Sequence, residues 1–285
     1  MTRNKAIWLA LVTALGCGGS DGELRVTAFG LAEAEDGIPA SRTADGFAVE
    51  FDELVLAVDG FFARTATGDD AMLPNEAAIV DLTLGESEIF SFSGVPAGRW
   101  DEVGFRSAPP SADSVRVGTS EATAAEMIAE GWSFLVSGTL VADDGERQDF
   151  RFGFPVEVTY RSCISGRDQT LGIVVPENGV GEAEVTWHLT HIFFDSFAED
   201  SALRVEPFFA AAEGDPVLTV DMLSRQPLAD LRGRDGRPLL DDVGNPVLFI
   251  PPPGGAETLR EHLLNARFGH FDGLEGFCTT ELTIR

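Results

Sequence analysis

Short runs of alternating apolar and polar residues dominate the first two thirds of this chain. Residues 24–29 and 47–58 alternate in this way, and a break near Asp52 and Glu53 is typical of a bulge. Similar runs follow at residues 78–82, 88–92, 100–105 and 132–140. Successive side chains of a strand point to opposite faces, so this alternation predicts strands with one buried face. Because Gly, Pro and Asp turns separate the runs, the chain is predicted to be mainly β, an antiparallel β-sandwich.

Two local elements are predicted from turn and capping residues. The turn-forming residues 143–146 lie between two strand-like runs, which predicts a hairpin of residues 132–140 and 148–154. Ser120 can cap a helix over residues 120–130, whose alanines favour helical backbone.

The chain changes character after residue 195. A strand is expected at residues 183–194, followed by proline-rich loops and two helical candidates, at residues 220–225 and 256–266. A last strand is predicted at residues 278–284. We therefore predict a β-sandwich domain over residues 24–195, and an irregular and helical extension over residues 196–285 that returns a final strand to the sandwich.

The N-terminus has the parts of a secretory signal peptide. Arg3 and Lys5 precede an uncharged apolar run, and the small Gly16 stands at a cleavage position. The apolar run is too short to span a bilayer as a helix. Residues 1–16 are therefore predicted to be a signal peptide.

Residues 14–17, Ala-Leu-Gly-Cys, resemble the lipobox of bacterial lipoproteins, with Ala14 where that family usually has Leu. The resemblance implies that Cys17 is acylated and becomes the new N-terminus. Residues 17–23 would then be a flexible, lipidated tether that holds the folded part at a membrane. The alternative is an ordinary cleaved signal peptide followed by an incidental cysteine.

The cysteine count predicts one disulfide. The chain has three cysteines, and if Cys17 carries lipid then Cys163 and Cys278 remain in an oxidising compartment. A bond between them would close a long loop and contribute roughly 4–5 kcal/mol by loop entropy. Two free buried thiols are the alternative.

Charge excludes one class of partner. The chain has 47 acidic and 20 basic residues and a net charge of −27, whereas nucleic-acid binding needs a basic surface. The same charge opposes attraction to anionic lipid headgroups, so membrane contact is expected through the lipid alone. The acidity either attracts cations or simply keeps the surface soluble.

The histidines are the candidate ligands of a metal ion. Imidazole suits copper and zinc, and His188, His191 and His270 would be enough for a site. Positions three apart on a strand face opposite sides, so His188 and His191 can share an ion only if the strand ends or bulges between them. Asp195 is a candidate fourth ligand or a residue that orients one, and His262 is expected at the surface. The alternative is that the histidines only satisfy hydrogen bonds in the core or at an interface.

Several stretches, in order, are similar to a known family. Residues 45–52, 95–105 and 131–134, with the hairpin that follows, resemble the periplasmic copper-binding proteins associated with methanobactin import and a related group of uncharacterised bacterial lipoproteins. The similarity covers residues 24–195 and implies a β-sandwich, with copper bound in some distant members through histidines and an oxidised tryptophan. Residues 187–195 and 268–273 also resemble those lipoproteins.

No motif of an enzyme is present in the sequence. It contains no Gly-x-Ser-x-Gly elbow, no phosphate-binding or dinucleotide-binding glycine loop and no His-Glu-x-x-His pattern. Paired carboxylates such as Asp143 and Asp144 lie in evident turns. We therefore predict a non-enzymatic, lipid-anchored binding protein of the cell envelope that binds copper or zinc. The alternative is a structural or interaction lipoprotein without a small ligand.

Overall fold

The structure is a computed structural model that describes residues 21–284, apart from 68–69, 72–75, 197, 199–200, 242, 252–254 and 274–275. The predicted signal peptide and Cys17 lie outside the described residues. The strands are β1 Gly22–Phe29, β2 Ala48–Arg64, β3 Asp70–Ala71, β4 Ala78–Asp81, β5 Ser87–Val95, β6 Gly98–Trp100, β7 Glu102–Ser107, β8 Val115–Val117, β9 Phe134–Val141, β10 Arg147–Phe154, β11 Val156–Ile164, β12 Ile173–Val175, β13 Val180–Trp187, β14 Val217–Thr219, β15 Gly269–Phe271 and β16 Phe277–Ile284.

Helices are short and connect the strands. The α-helices are α1 Ala32–Asp36, α2 Glu121–Glu130, α3 Glu206–Ala211 and α4 Leu259–Leu264, and 3₁₀ helices occupy Ala40–Arg42, Leu82–Leu84, Leu189–Ile192 and Val220–Arg225. The prediction of α2 is confirmed, because the Ser120 hydroxyl accepts the amide of Thr123 and Gly131 ends the helix in the left-handed region, at φ 68°.

The larger sheet has the order β14-β10-β9-β2-β7-β11-β16, and β4 and β8 extend it beside β2. The predicted hairpin is confirmed as the antiparallel pair β9 and β10. The predicted bulge is confirmed as well, since the register between β2 and β9 shifts between Phe51 and Glu53. A bulge increases the local twist and bend of a strand, which suits a strand as long as β2.

The second sheet has the order β15-β13-β1-β5, with β1 and β13 parallel and the other pairs antiparallel. Buried side chains of both sheets belong to one hydrophobic core, which includes Leu24 and Val185 from this sheet and Phe105 and Phe152 from the larger one. The predicted fold class, a mainly β sandwich, is confirmed.

Residues after 195 supply further strands to both sheets. β14 pairs in parallel with β10, β15 pairs with β13, and β16 pairs with β11 at the edge of the larger sheet. The predicted last strand is thereby confirmed. Of the two helical candidates, residues 220–225 form a 3₁₀ helix and residues 259–264 form α4. The domain boundary at residue 195 stays a prediction.

The predicted strand over residues 183–194 is wrong in its second half. β13 ends at Trp187, where its pairing with β15 also ends, at the pair Trp187 and Gly269. The amide of His188 still donates to the carbonyl of Phe268, but the amides of His191 and Phe193 donate to the local carbonyls of His188 and Thr190, which forms the 3₁₀ helix Leu189–Ile192.

The predicted disulfide is confirmed. Cys163 and Cys278 are bonded, with 115 residues of sequence separation, and their Cα atoms lie 4.1 Å apart. In the described residues, no helix is both long and apolar enough to cross a membrane.

Candidate metal-binding site

Three of the four histidines converge at one end of the smaller sheet. The ring centroids of His188 and His191 lie 4.6 Å apart, those of His188 and His270 lie 5.0 Å apart, and those of His191 and His270 lie 5.3 Å apart. Each of these side chains is half-buried. The structure therefore brings together the three histidines that the sequence nominated.

The end of β13 explains why His188 and His191 meet. His188 is the first residue after the strand and precedes the 3₁₀ helix, and its carbonyl accepts the amide of His191 at 3.3 Å. A 3₁₀ helix has three residues per turn, so side chains three positions apart lie on the same side. On a strand, His188 and His191 would face opposite sides. Because β13 ends before both residues, they can lie on the same side.

The pairing of β15 with β13 places the third histidine, His270, beside the other two. His270 lies on β15 opposite Thr186 of β13, two residues before His188. The amide of His188 also donates to the carbonyl of Phe268 at 2.7 Å, which ties the 3₁₀ segment to the chain entering β15. Two segments that are about eighty positions apart in sequence thus place their histidines side by side.

Backbone carbonyls orient two of the rings. His191 Nδ1 donates to the carbonyl of Arg267, and His270 Nδ1 donates to the carbonyl of Gly276 at 2.7 Å. A carbonyl can only accept, so Nδ1 carries the proton and Nε2 carries the lone pair in each neutral ring. Metal-binding histidines almost always donate their other ring N–H to such an acceptor.

Burial keeps His188 and His191 neutral near pH 7. It lowers the pKa of His188 to about 4, helped by the nearby His270 and the cation of Arg42. It also lowers the pKa of His191 to about 3, with a further contribution from His188 that outweighs the hydrogen bond to Arg267. A neutral imidazole is the form that binds a metal ion.

The rings are close, but they do not form a finished ligand shell. Among the described side chains, no group of three or more His, Cys, Asp or Glu has the arrangement of a ready-made metal centre. The three rings therefore lie close together without forming a ligand shell, and metal binding by this cluster stays a prediction.

Asp195 is engaged elsewhere in its own loop. Its Oδ2 accepts from Arg204 Nε at 3.0 Å, and its Oδ1 accepts the amide of Ala202 at 3.0 Å. These contacts join Asp195 to Ala202 and Arg204, and not to the histidines. Its role as a fourth ligand stays a prediction.

The expectation for His262 is wrong. It was expected at the surface, but its side chain is fully buried on α4, and Nε2 lies 3.0 Å from the carbonyl of Phe194. The reason is the amphipathic face of α4, since Leu259, Leu263 and Leu264 are buried with it. Burial lowers the pKa of His262, so it packs as a neutral ring in the core.

An aromatic cluster lies behind the histidines. The Trp187 ring is 2% exposed and contacts Phe134, Tyr160 and Phe268, with centroids 5.4 to 6.1 Å apart. Among the described residues, its indole Nε1 has no hydrogen-bond partner. A fixed apolar wall of this kind limits the positions that the adjoining residues can take.

Sequence reasoning missed the groups that orient the rings. Arg267 and Gly276 orient two rings through their carbonyls. Sequence reasoning also missed Arg42, whose charge helps to lower the pKa of His188. A backbone carbonyl has no residue-type signature, so only the fold could reveal the first two.

The fold and the site define a class: a β-sandwich protein with a cluster of three half-buried histidines. No protein-family model matches the sequence, and no curated protein matches it either. Among solved structures, the chain is similar to "MbnP from Methylosinus trichosporium", at 15% identity over 61% of this chain and 77% of that chain, with a TM-score of 0.28.

Proposed function

We propose that this chain is an exported, lipid-anchored binding protein that holds a transition-metal ion, copper or zinc, through His188, His191 and His270. The observation that carries the proposal is the convergence of three histidine rings from two distant segments, with centroids 4.6 to 5.3 Å apart.

Ligand chemistry supports this assignment. Imidazole nitrogen is a preferred ligand of copper and zinc, and three such ligands leave one position of a tetrahedral site open. A protein that passes its metal to a partner needs such an open position. The carbonyls of Arg267 and Gly276 would fix the direction of two ligand rings.

Burial supports the assignment as well. The neutral rings of His188 and His191 need not release protons before they bind an ion. The cell-envelope location rests on the signal peptide predicted at residues 1–16 and on the lipidation expected at Cys17.

Metal content measured on a Cys17→Ser variant tests the proposal. The purified protein is loaded with copper or zinc, desalted and analysed for elements. We expect one metal ion per chain, and loss of the ion in each of the variants His188→Ala, His191→Ala and His270→Ala.

His262→Gln serves as the matched control. It should keep stoichiometric metal, because His262 packs in the core away from the cluster's three rings. Near-UV circular dichroism checks the fold of every variant. Metal at background in a folded protein would overturn the proposal and favour a structural or interaction lipoprotein instead.

A further inference from the structure

One hydrogen bond links the histidine cluster to the disulfide. His270 Nδ1 donates to the carbonyl of Gly276 at 2.7 Å, and Gly276 lies two residues before Cys278. Cys278 is bonded to Cys163 on β11. The group that orients His270 is therefore placed by a short segment whose far end is a covalent crosslink.

The crosslink lies where strand pairing fails. β11 and β16 pair regularly up to Arg161 and Thr279, and then the register shifts before the single pair Ile164 and Phe277. The disulfide spans this irregular point. The covalent bond holds Cys278 against β11 at this point, beside the single pair that holds Phe277, the residue after Gly276.

Close packing shows how tightly the carbonyl of Gly276 is held. A Cβ atom on Gly276 would lie 1.7 Å from the carbonyl oxygen of Phe271 and 2.9 Å from the amide nitrogen of Gly166. Gly166 follows Cys163 by three residues, and its amide donates to the carbonyl of Phe271 at 3.1 Å. Only glycine permits this approach, so the position of Gly276 depends on the loop that begins at Cys163.

We infer that the Cys163–Cys278 disulfide makes the metal affinity of the three-histidine site depend on redox state, with Gly276 as the positioning residue for His270. This inference rests on the proposed function. When the disulfide is intact, the carbonyl of Gly276 holds the His270 ring with Nε2 directed to the metal. When it is reduced, Gly276 is held less firmly and the His270 ring loses its fixed orientation.

The reductant is a thiol. Cys278 is partly exposed whereas Cys163 is fully buried, so a thiolate attacks Cys278 Sγ. The S–S bond breaks, Cys163 leaves as a thiolate and takes up a proton, and a mixed disulfide forms on Cys278. A second thiol resolves it, which releases the Cys278 thiol and an oxidised reductant disulfide. Two electrons pass from the two reductant thiols to the two cysteine sulfurs.

Metal affinity compared between oxidised and reduced protein is the first measurement. The Cys17→Ser chain is titrated with Zn²⁺ against a competing chelator, before and after treatment with a dithiol that is then removed. We expect the dissociation constant to rise at least about tenfold on reduction, as it does when a group that orients a ligand is lost. An unchanged constant in reduced, folded protein overturns the inference.

A second measurement needs no metal. The ¹⁵N shifts of the His270 ring report which nitrogen carries the proton. We expect the Nδ1–H tautomer in oxidised protein and a mixture of tautomers after reduction. If the oxidised protein binds no zinc but the tautomer of His270 still changes on reduction, the proposed function fails. The link between the disulfide and the orientation of the His270 ring then stands. If neither affinity nor tautomer responds, that link fails.

A glycine variant keeps the test decisive if reduction unfolds the chain. Gly276→Ala, with the disulfide intact, must displace the carbonyl of residue 276, and we expect the same rise in the dissociation constant and the same mixture of tautomers. Gly60→Ala is the matched control, since a Cβ there meets nothing within 4 Å. Equal zinc affinity in the two variants would overturn the role of Gly276 and with it the inference.

Discussion

The hydroxyl oxygen of Tyr160 accepts a hydrogen bond from the backbone amide of Gly269 at 3.1 Å, one residue before His270. Tyr160 is the only tyrosine in a chain with 21 phenylalanines, and it is fully buried, stacked on Phe105 with centroids 4.4 Å apart. The Tyr160 hydroxyl, which lies among apolar side chains, therefore accepts a hydrogen bond from the buried amide at the start of β15.

Tyr160→Phe tests that hydrogen bond. The variant keeps the stacked ring and removes the acceptor, which leaves the buried amide of Gly269 without it. We expect a loss of about 1–3 kcal/mol in the free energy of unfolding, measured in urea. Thr279→Val is the control, because it removes an exposed hydroxyl that donates to the carbonyl of Arg161, and it should cost less than about 1 kcal/mol. Equal losses would contradict the prediction.

Gly153→Ala should destabilise the β9–β10 hairpin. A Cβ atom at Gly153 would lie 2.1 Å from two ring atoms of Trp132, so the indole must move out of its contact with the strand. We expect a loss of about 1–3 kcal/mol from overpacking, together with a shift in tryptophan fluorescence. Gly60→Ala, where the added methyl meets open space, should show neither effect.

Glu53 should stabilise the chain at neutral pH and stop doing so in acid. Burial raises the pKa of Glu53, but hydrogen bonds from Thr123, Arg151 and Ser137 and the charge of Arg151 together lower it more, so the pKa lies below its ordinary value of 4.5. A lowered carboxyl pKa gives stability that is present above the unfolded value and is lost as pH falls through the folded value.

Glu53→Gln should therefore cost about 1 kcal/mol at pH 7, since solvent screens the pair, and the cost should shrink as pH falls below 4.5. Urea unfolding of both proteins between pH 3 and 7 gives the comparison. A difference that stays constant across this range would show that the charge of Glu53 contributes nothing.

Asp45 should have the opposite pH dependence. Burial raises its pKa above 3.8, despite the amides of Glu206 and Val205 that donate to Oδ2. The neighbouring carboxyl of Glu206 also has a raised pKa, because of burial and then of repulsion by Asp45. A raised carboxyl pKa gives stability that is fully present below the unfolded value and is lost as pH rises through the folded value.

Asp45→Asn should remove this loss of stability at high pH. The side-chain oxygen of Asn can still accept hydrogen bonds from the amides of Val205 and Glu206, but no charge is buried. The stability of the variant relative to the parent should therefore rise between pH 4 and 7, as measured by urea unfolding. A relative stability that falls with pH would mean that the charge of Asp45 is favourable in the fold.

The lipid anchor is tested by phase partitioning. Cys17, which lies outside the described residues, should carry the acyl chains that hold the protein at the membrane. Expressed in bacteria, the parent chain should enter the detergent phase, and Cys17→Ser should enter the aqueous phase. A parent chain that partitions into water would indicate an ordinary cleaved signal peptide.

Local patterns in the sequence determined much of the architecture. Alternation predicted the strands around Val26 and Leu56 because each strand has one buried face, and the interruption near Glu53 predicted the bulge. The cap at Ser120 and the pairing of Cys163 with Cys278 also followed from residue chemistry and spacing. Each of these features depends on neighbouring residues or on a count.

The tertiary structure alone decided the site. β13 ends at Trp187 because β15 pairs no further, and that ending, absent from the alternation of the sequence, places His188 and His191 on one side. The burial of His262 depends on what α4 packs against. The carbonyl of Arg267 reaches His191 across 76 positions of sequence, because the fold brings the two segments together. Strand ends, burial and backbone acceptors are set by partners far away in sequence, so no local pattern encodes them.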